Sequence, residues 1–256
     1  MQEKTEVTLD ELRREPYSLL LCYPRPHPEE VEKRLAELSS LHVDQIQLVG
    51  AKRIQNLNVL GKGCVGIVVK AYRGDTPIAL KIRRVDADRQ TMAHEAQMLQ
   101  VANRIHVGPK LYTYSANFLL MEYVDGVLIS EWLKDLRPED REENAQVIRR
   151  LLTQCHALDG NGVDHGELTN ASKHVMIRPG ATATILDFES ASTARKPANI
   201  TGICQYLFLG RRQDTLEVLC RFDADDLIKA LRDYKKSVTR ESFASLLRVL
   251  CLVDMR

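Results

Sequence analysis

A chain of 256 residues, 44 % of them hydrophobic, can bury one domain or two closely packed lobes, and a formal charge of +1 gives no broad electrostatic drive toward nucleic acid. Its six cysteines (Cys22, Cys64, Cys155, Cys204, Cys220 and Cys251) stand far apart without a CxxC pair, which suits a reduced cytoplasm and argues against a disulfide framework or a zinc site. The longest apolar run, near Leu19–Leu21, is too short for a membrane span and no signal peptide precedes it, so a soluble cytoplasmic protein with no membrane contact is expected.

Residues 1–42 are expected to form a helical extension. Pro28 can occupy the first turn of a helix that puts Val31, Leu35 and Leu38 on one face, and the break CYPRPHP separates it from TLDELRREPYSLLL. A cap packed on the following domain is preferred here over a small winged helix. From Val43 the texture is β: QIQLVG, RIQNLNVLG, CVGIVVKAY and PIALKIR are short runs of Val, Ile and Leu parted by Gly, Lys-Arg and Gly-Asp turns. Asp88 can cap a helix over about 89–103, and NFLLMEYV reads as a fifth strand. Beyond Gly126 the chain turns mostly helical. The segment from Pro138 to Leu158 carries Val147, Ile148, Leu151, Leu152 and Cys155 as one stripe. HVMI and TATILDF read as two short strands, and helices are expected at about 200–209, 224–236 and 241–253, with no internal repeat and no low-complexity linker.

Three motifs fall in the β-rich half. GKGCVG carries Gly61, Gly63 and Gly66 as a G-x-G-x-x-G between two expected strands, not between a strand and a helix. Glycines let the backbone fold over phosphates without Cβ clashes, although such triplets also occur in plain turns. Val68 then points beneath the loop, where an adenine would be sandwiched. In IALK, Ala79 leaves room for that ring and Lys81 offers its charge to the phosphates. A lysine in this role needs an anion to hold its long stem, and Glu95 in the next helix is the natural candidate. Taken singly, Lys81 reads as a snorkelling strand lysine and Glu95 as a solvated helix face; their order along the chain favours the paired reading. In NFLLMEYVDG, Met121 would stand at the back of the pocket, with the backbone of Glu122 and Val124 at the adenine edge.

With these motifs in this order, the stretch from about Val43 to Phe188 resembles the protein-kinase-like superfamily, and especially its compact atypical branch of RIO and Bud32 kinases. The resemblance implies an α+β, bilobal fold: a five-stranded antiparallel N-lobe sheet with one helix over 43–125, and a reduced, mainly helical C-lobe over 126–256. It implies ATP as a ligand with Mg2+, Mn2+ being the alternative ion. In HGELTNASKHVMI, His165-Gly166-Glu167 occupies the place of the family's HRD or HGD, so Glu167 stands where an Asp orients the acceptor hydroxyl and takes its proton. Glu has the same charge and similar basicity, with its carboxylate one methylene further out. The loop to the next acid is longer than the family's usual one and could retract Glu167 to a useful position. That insertion also leaves the metal-binding Asn position open. Counting forward gives Ser172, counting back gives His174, and Asn170 can reach in if the loop coils; His174 and Asn170 rank level, and Lys173 offers positive charge.

ILDFES supplies Asp187, which follows a buried strand and precedes Phe188, as expected of the acid that chelates Mg2+. Glu189 replaces the usual Gly of DFG and is a candidate second carboxylate near the metal. DFE also resembles choline-kinase and aminoglycoside-phosphotransferase cores. Only ESASTARKPANI precedes the next helix and no APE follows, so no long activation segment presents a peptide. Arg195, Lys196, Arg211 and Arg212 read either as a solvated face or as contacts for an anionic partner, and Cys64 as a small structural residue. The preferred expectation is ATP-dependent phosphoryl transfer to a Ser/Thr hydroxyl of an unidentified protein, with no direct nucleic-acid binding. The alternatives are a small-molecule kinase of the choline or aminoglycoside type, and a nucleotide-binding pseudokinase acting as an assembly or tRNA-modification partner.

Overall fold

Strand β1 (Glu6–Thr8) pairs antiparallel with β2 (Gln45–Gln47), with Val7 opposite Ile46 and both side chains buried. This pair appears in a computed structural model that describes residues 5–210 and 222–252. Between the two strands run α1 (Ser18–Leu21) and α2 (Pro28–Ser40). Pro28 sits in the first turn of α2, Glu29 and Glu30 complement the helix dipole there, and Val31, Leu35 and Leu38 are buried. Arg34 on the same face is buried completely; its guanidinium donates to the carbonyls of Leu21 and Arg83 and to Glu30 Oε1. The residues expected as a helical extension therefore also supply a strand, and their apolar side chains share one core with Ile46, Ile67, Leu80 and Phe118.

Further along lie β3 (Lys52–Ile54), β4 (Leu57–Val59), β5 (Gly61–Lys62), β6 (Gly66–Arg73) and β7 (Thr76–Arg83). Helix α3 (Ala93–Arg104), β8 (Leu111–Tyr114) and β9 (Phe118–Glu122) follow. The sheet runs β1-β2-β6-β7-β9-β8, with β5 also on β6, and every pairing is antiparallel. The expected five strands are thus corrected to seven among the described residues. Of RIQNLNVLG only its last residue, Gly61 in β5, joins this sheet: Gln55, at φ 52, turns the rest back into a separate β3–β4 hairpin. In its place β1, β5 and β8 enter the sheet. Helix α3 begins at Ala93 rather than near Arg89, because the preceding turn is tied to the sheet by Met92 N–H on the Ala116 carbonyl and by Arg83 on the Arg89 carbonyl.

By its contacts the chain divides into two units, residues 1–97 with 110–123 and residues 98–109 with 124–256. The second contains β10 (Val127–Leu128), α4 (Ile129–Trp132), α5 (Arg141–Gly160), β11 (Val175–Arg178), β12 (Thr182–Ile185), α6 (Asn199–Phe208), α7 (Ala224–Lys236) and α8 (Arg240–Val249). β10, β11 and β12 form an antiparallel ribbon. The expected stripe of α5 is buried from Val147 to Cys155. Asp223 caps α7 by accepting from the amides of Asp225 and Asp226, and Thr239 caps α8 in a capping box with Ser242. The fold is thus mixed α+β, with antiparallel sheets and helices. No described helix is long and apolar enough to cross a membrane.

Candidate active site

In the first unit the glycine motif is a β5–β6 hairpin, with Gly61 opposite Val68 and Lys62 opposite Ile67. Gly63 N–H donates to the Gly66 carbonyl at 2.8 Å, closing the turn. Arg84 holds the turn from the side: its amide donates to the Val65 carbonyl and its Nη1 to the Gly63 carbonyl, both at 2.9 Å, while its Nε and Nη2 grip Asp86. Of the three motif glycines, Gly66 is the one that space demands. A Cβ there would stand 2.9 Å from the Ile82 carbonyl oxygen and 3.2 Å from Lys81 Cγ, whereas at Gly61 and Gly63 it would meet ordinary contacts.

That close approach sets the stem of Lys81. Its Nζ donates to Glu95 Oε1 at 2.9 Å and lies 2.8 Å from Oε2, and both residues are buried. Met92 and Ala96, on either side of Glu95 in the chain, pack with Leu119 as an apolar cluster joined by Val65 and Met121. Charges so enclosed need each other, because neither can be solvated alone. Val68 is half-buried opposite Lys81, and Ala79 is buried opposite Met121. At the end of β9, Glu122 N–H is engaged on the Lys110 carbonyl.

The second unit holds the other candidates. Val124, buried, is among its first residues after β9. His165 is completely buried; its amide donates to Asn199 Oδ1, and its Nε2–H donates to the Leu186 carbonyl, both at 2.9 Å. Its ring meets Phe188 edge-on at 5.1 Å. The histidine therefore fastens the HGE segment to the LDF segment. Gly166, at φ 87, has the left-handed backbone that favours glycine, and a Cβ there would lie 3.1 Å from the Ser190 carbonyl and displace the Arg195 guanidinium. Glu167 is half-buried and accepts from Ser190 Oγ at 3.1 Å. Asp187 has φ 67, a left-handed conformation that Asp and Asn adopt more readily than most side chains.

His174 lies beside Asp187, with Nδ1 3.7 Å from Oδ2. Burial pushes the His174 imidazole below its ordinary pKa, against the pull of Asp187 and Glu167, and burial does the same to His165. His174 Nδ1 is buried with no hydrogen-bond partner among the described residues. Carboxylate oxygens of Asp187 and Glu189 come within 4.8 Å of each other. Two hard oxygens faced by a neutral imidazole fit a divalent cation: the carboxylates suit Mg2+, and the nitrogen adds tolerance for Mn2+. Asn170 stands apart in this respect. It is exposed, and its Oδ1 accepts from Ser172 Oγ at 2.9 Å within the turn Leu168–Lys173. The unit thus gathers Glu167, His174, Asp187 and Glu189, while the side-chain oxygen of Asn170 is turned to a local partner.

Several partners were not singled out from sequence. Asp164 exchanges backbone bonds with Ser192, accepts from Arg195 Nε at 2.9 Å and from the Ala198 amide at 3.3 Å. Arg195 also donates to the Ser190 carbonyl at 2.6 Å, so it anchors the segment after Asp187 and is not a purely solvated charge. Arg211 and Arg212, grouped with it in the sequence, lie outside the described residues. The signal available was an acid immediately before the HGE motif, with a basic residue shortly after ILDFES.

No family model matches the chain. Among curated proteins, it is similar to the stress-activated protein kinase jnk-1 of Caenorhabditis elegans, at 26 % identity over 184 residues that cover 62 % of this chain and 39 % of that protein. It is also similar to a protein of Lactococcus lactis named "Probable serine/threonine-protein kinase PknB", at 21 % identity over 155 residues covering 56 % of this chain and 24 % of that protein. The chain thus spans well under half the length of either relative. At this low identity the likeness supports a place in the protein-kinase-like superfamily.

Proposed function

We propose that this chain is a bilobal kinase of the RIO and Bud32 type that transfers the γ-phosphoryl group of ATP to a Ser/Thr hydroxyl of a protein. Residues 43–125 act as its N-lobe, residues 126–256 as its C-lobe and residues 1–42 as an extension. The observation that carries this reading is the buried Lys81–Glu95 pair beside the Gly66 hairpin. A strand lysine kept charged and fixed by a helix glutamate is what positioning a phosphate requires.

In this reading the loop with Gly61, Gly63 and Gly66 covers the phosphates and Lys81 binds them. Val68, Ala79 and the backbone of Glu122 and Val124 receive the adenine. Asp187 and Glu189 would hold Mg2+ or Mn2+, whose charge would neutralise the phosphate oxygens. His174 is the first candidate for a further ligand and Asn170 the second. Glu167 orients the acceptor hydroxyl and takes its proton. The two kinase relatives support the reaction class, and a cytoplasmic location is part of the same proposal.

One observation favours a second reading, a nucleotide-binding partner with little turnover. Glu167 is already engaged by Ser190 Oγ, and the Asn170 side chain by Ser172. Calorimetric titration with Mg-ATP tests what both readings share. Binding by the wild type, weakened more than about tenfold in Lys81→Met, is expected; equal affinity in the two proteins would remove Lys81 from the site.

A further inference from the structure

The glycine loop has little packing of its own, since Lys62, Gly63 and Cys64 are exposed. Besides Arg84, the segment between α1 and α2 also reaches it. The ring of Tyr23 lies under two cations, with Lys62 Nζ 4.6 Å and Arg84 Cζ 4.9 Å from its centroid. Lys62 lies within the glycine motif itself, and Arg84 is the residue whose Nη1 and amide hold the Gly63 and Val65 carbonyls. Tyr23 is fixed in turn, because its carbonyl accepts from the Val85 amide at 3.0 Å. A single aromatic ring from the N-terminal extension therefore meets one cation in the loop and the cation that holds the loop's turn.

We infer that Tyr23 is a positioning residue for the glycine-rich loop, holding Lys62 and Arg84 so that the loop is ordered before a nucleotide's phosphates arrive. The inference rests on the nucleotide-binding reading above. Cation–π contacts tie each side of the loop to the sheet through a ring that need not touch the ligand. Ordering a loop in advance removes part of the entropic cost of binding, and the gain falls on ligand groups that the loop contacts. Phosphates should feel it and adenosine should not.

The test uses the full chain as wild type, Tyr23→Leu, Tyr23→Phe and Lys62→Gln. Hydrogen exchange is followed over residues 61–66, and affinities are measured for Mg-ATP and for adenosine. Tyr23→Leu is expected to speed exchange in the loop and to weaken Mg-ATP about five- to tenfold with adenosine unchanged, as two lost cation–π contacts allow. Tyr23→Phe, which keeps the ring, restores both readouts. Lys62→Gln, an exposed change that leaves the core intact, gives about a two- to fivefold loss confined to Mg-ATP. Equal Mg-ATP affinity in wild type and Tyr23→Leu, or parallel loss of ATP and adenosine, overturns the inference. A wild type that binds no Mg-ATP contradicts the nucleotide reading itself, and the inference falls with it; the wild-type titration alone tells that failure from the other two.

Discussion

Lys81 and Glu95 approach to 2.8 Å between strand β7 and helix α3, each with 4 % of its surface exposed. In the apolar setting of Met92, Ala96 and Leu119, removing one partner leaves the other charge buried and unbalanced. Lys81→Met and Glu95→Leu should each lower stability by about 3–5 kcal/mol, whereas the double variant recovers most of the loss, because buried pairs are replaceable by apolar groups. Denaturant midpoints of the three proteins check this. Recovered stability without recovered Mg-ATP binding would separate the pair's structural part from its functional one.

Gly66 is the tightest position of the glycine motif. The Cβ of Gly66→Ala meets the Ile82 carbonyl and crowds the Lys81 stem, and should cost about 1–3 kcal/mol. Gly61→Ala and Gly63→Ala meet only ordinary contacts and should stay within about 0.5 kcal/mol of wild type. Thermal unfolding of the three variants under one condition makes the comparison.

The glycine hairpin, the buried lysine and its glutamate, and the apolar stripes of α2 and α5 were legible because each depends on local order or on helical period. Other features were not. β1 is only Glu6–Thr8, too short for a period-two pattern, and it pairs with residues far along the chain. β8 carries an irregular register between Leu111 and Thr113, which blurs its alternation. The turn between β3 and β4 is Gln55-Asn56, with Gln rather than Gly or Asn at its positive-φ first position, so Asn56 alone did not mark it. Asn199 gave no signal at all, since its importance comes from contacts with His165, Asp159 and Val163 across more than thirty residues.

Asn199 is buried at the start of α6 and ties it to α5 and to the loop that carries Val163 and His165. Its Oδ1 accepts from the His165 amide, and its Nδ2 donates to Asp159 Oδ1 and the Val163 carbonyl. Asn199→Ala leaves several buried polar groups unpaired and should cost at least about 3 kcal/mol. Asn199→Asp keeps the acceptor but sets a second carboxylate against Asp159, so it should not rescue the loss. Denaturant unfolding distinguishes these outcomes from a simple loss of volume.

His165 and His174 both titrate below the ordinary imidazole value because they are buried. The unfolded chain therefore takes up protons first as pH falls. The stability these residues contribute is complete above about pH 6.5 and is lost as pH drops through that value toward their folded pKa values. Asp159, whose pKa burial raises, acts with the opposite sign, as a group that folds more readily when protonated. Its contribution is common to all the proteins compared and cancels in the difference. His174→Gln should accordingly flatten the fall in stability between about pH 7 and about pH 5. Parallel curves for His174→Gln and wild type would mean that His174 is not neutral in the folded protein.

The proposed transfer of phosphate from ATP to a protein hydroxyl is open to a direct test. The most direct measurement follows γ-labelled Mg-ATP with the wild type, Asp187→Asn and Glu167→Gln, in the presence of Ser/Thr protein acceptors. Asn tolerates the left-handed backbone at position 187, so Asp187→Asn tests the charge with little disturbance of the fold. Label on serine or threonine is expected with wild type, and its loss in both variants. ATP that binds to the wild type while no phosphate moves to any acceptor would contradict it.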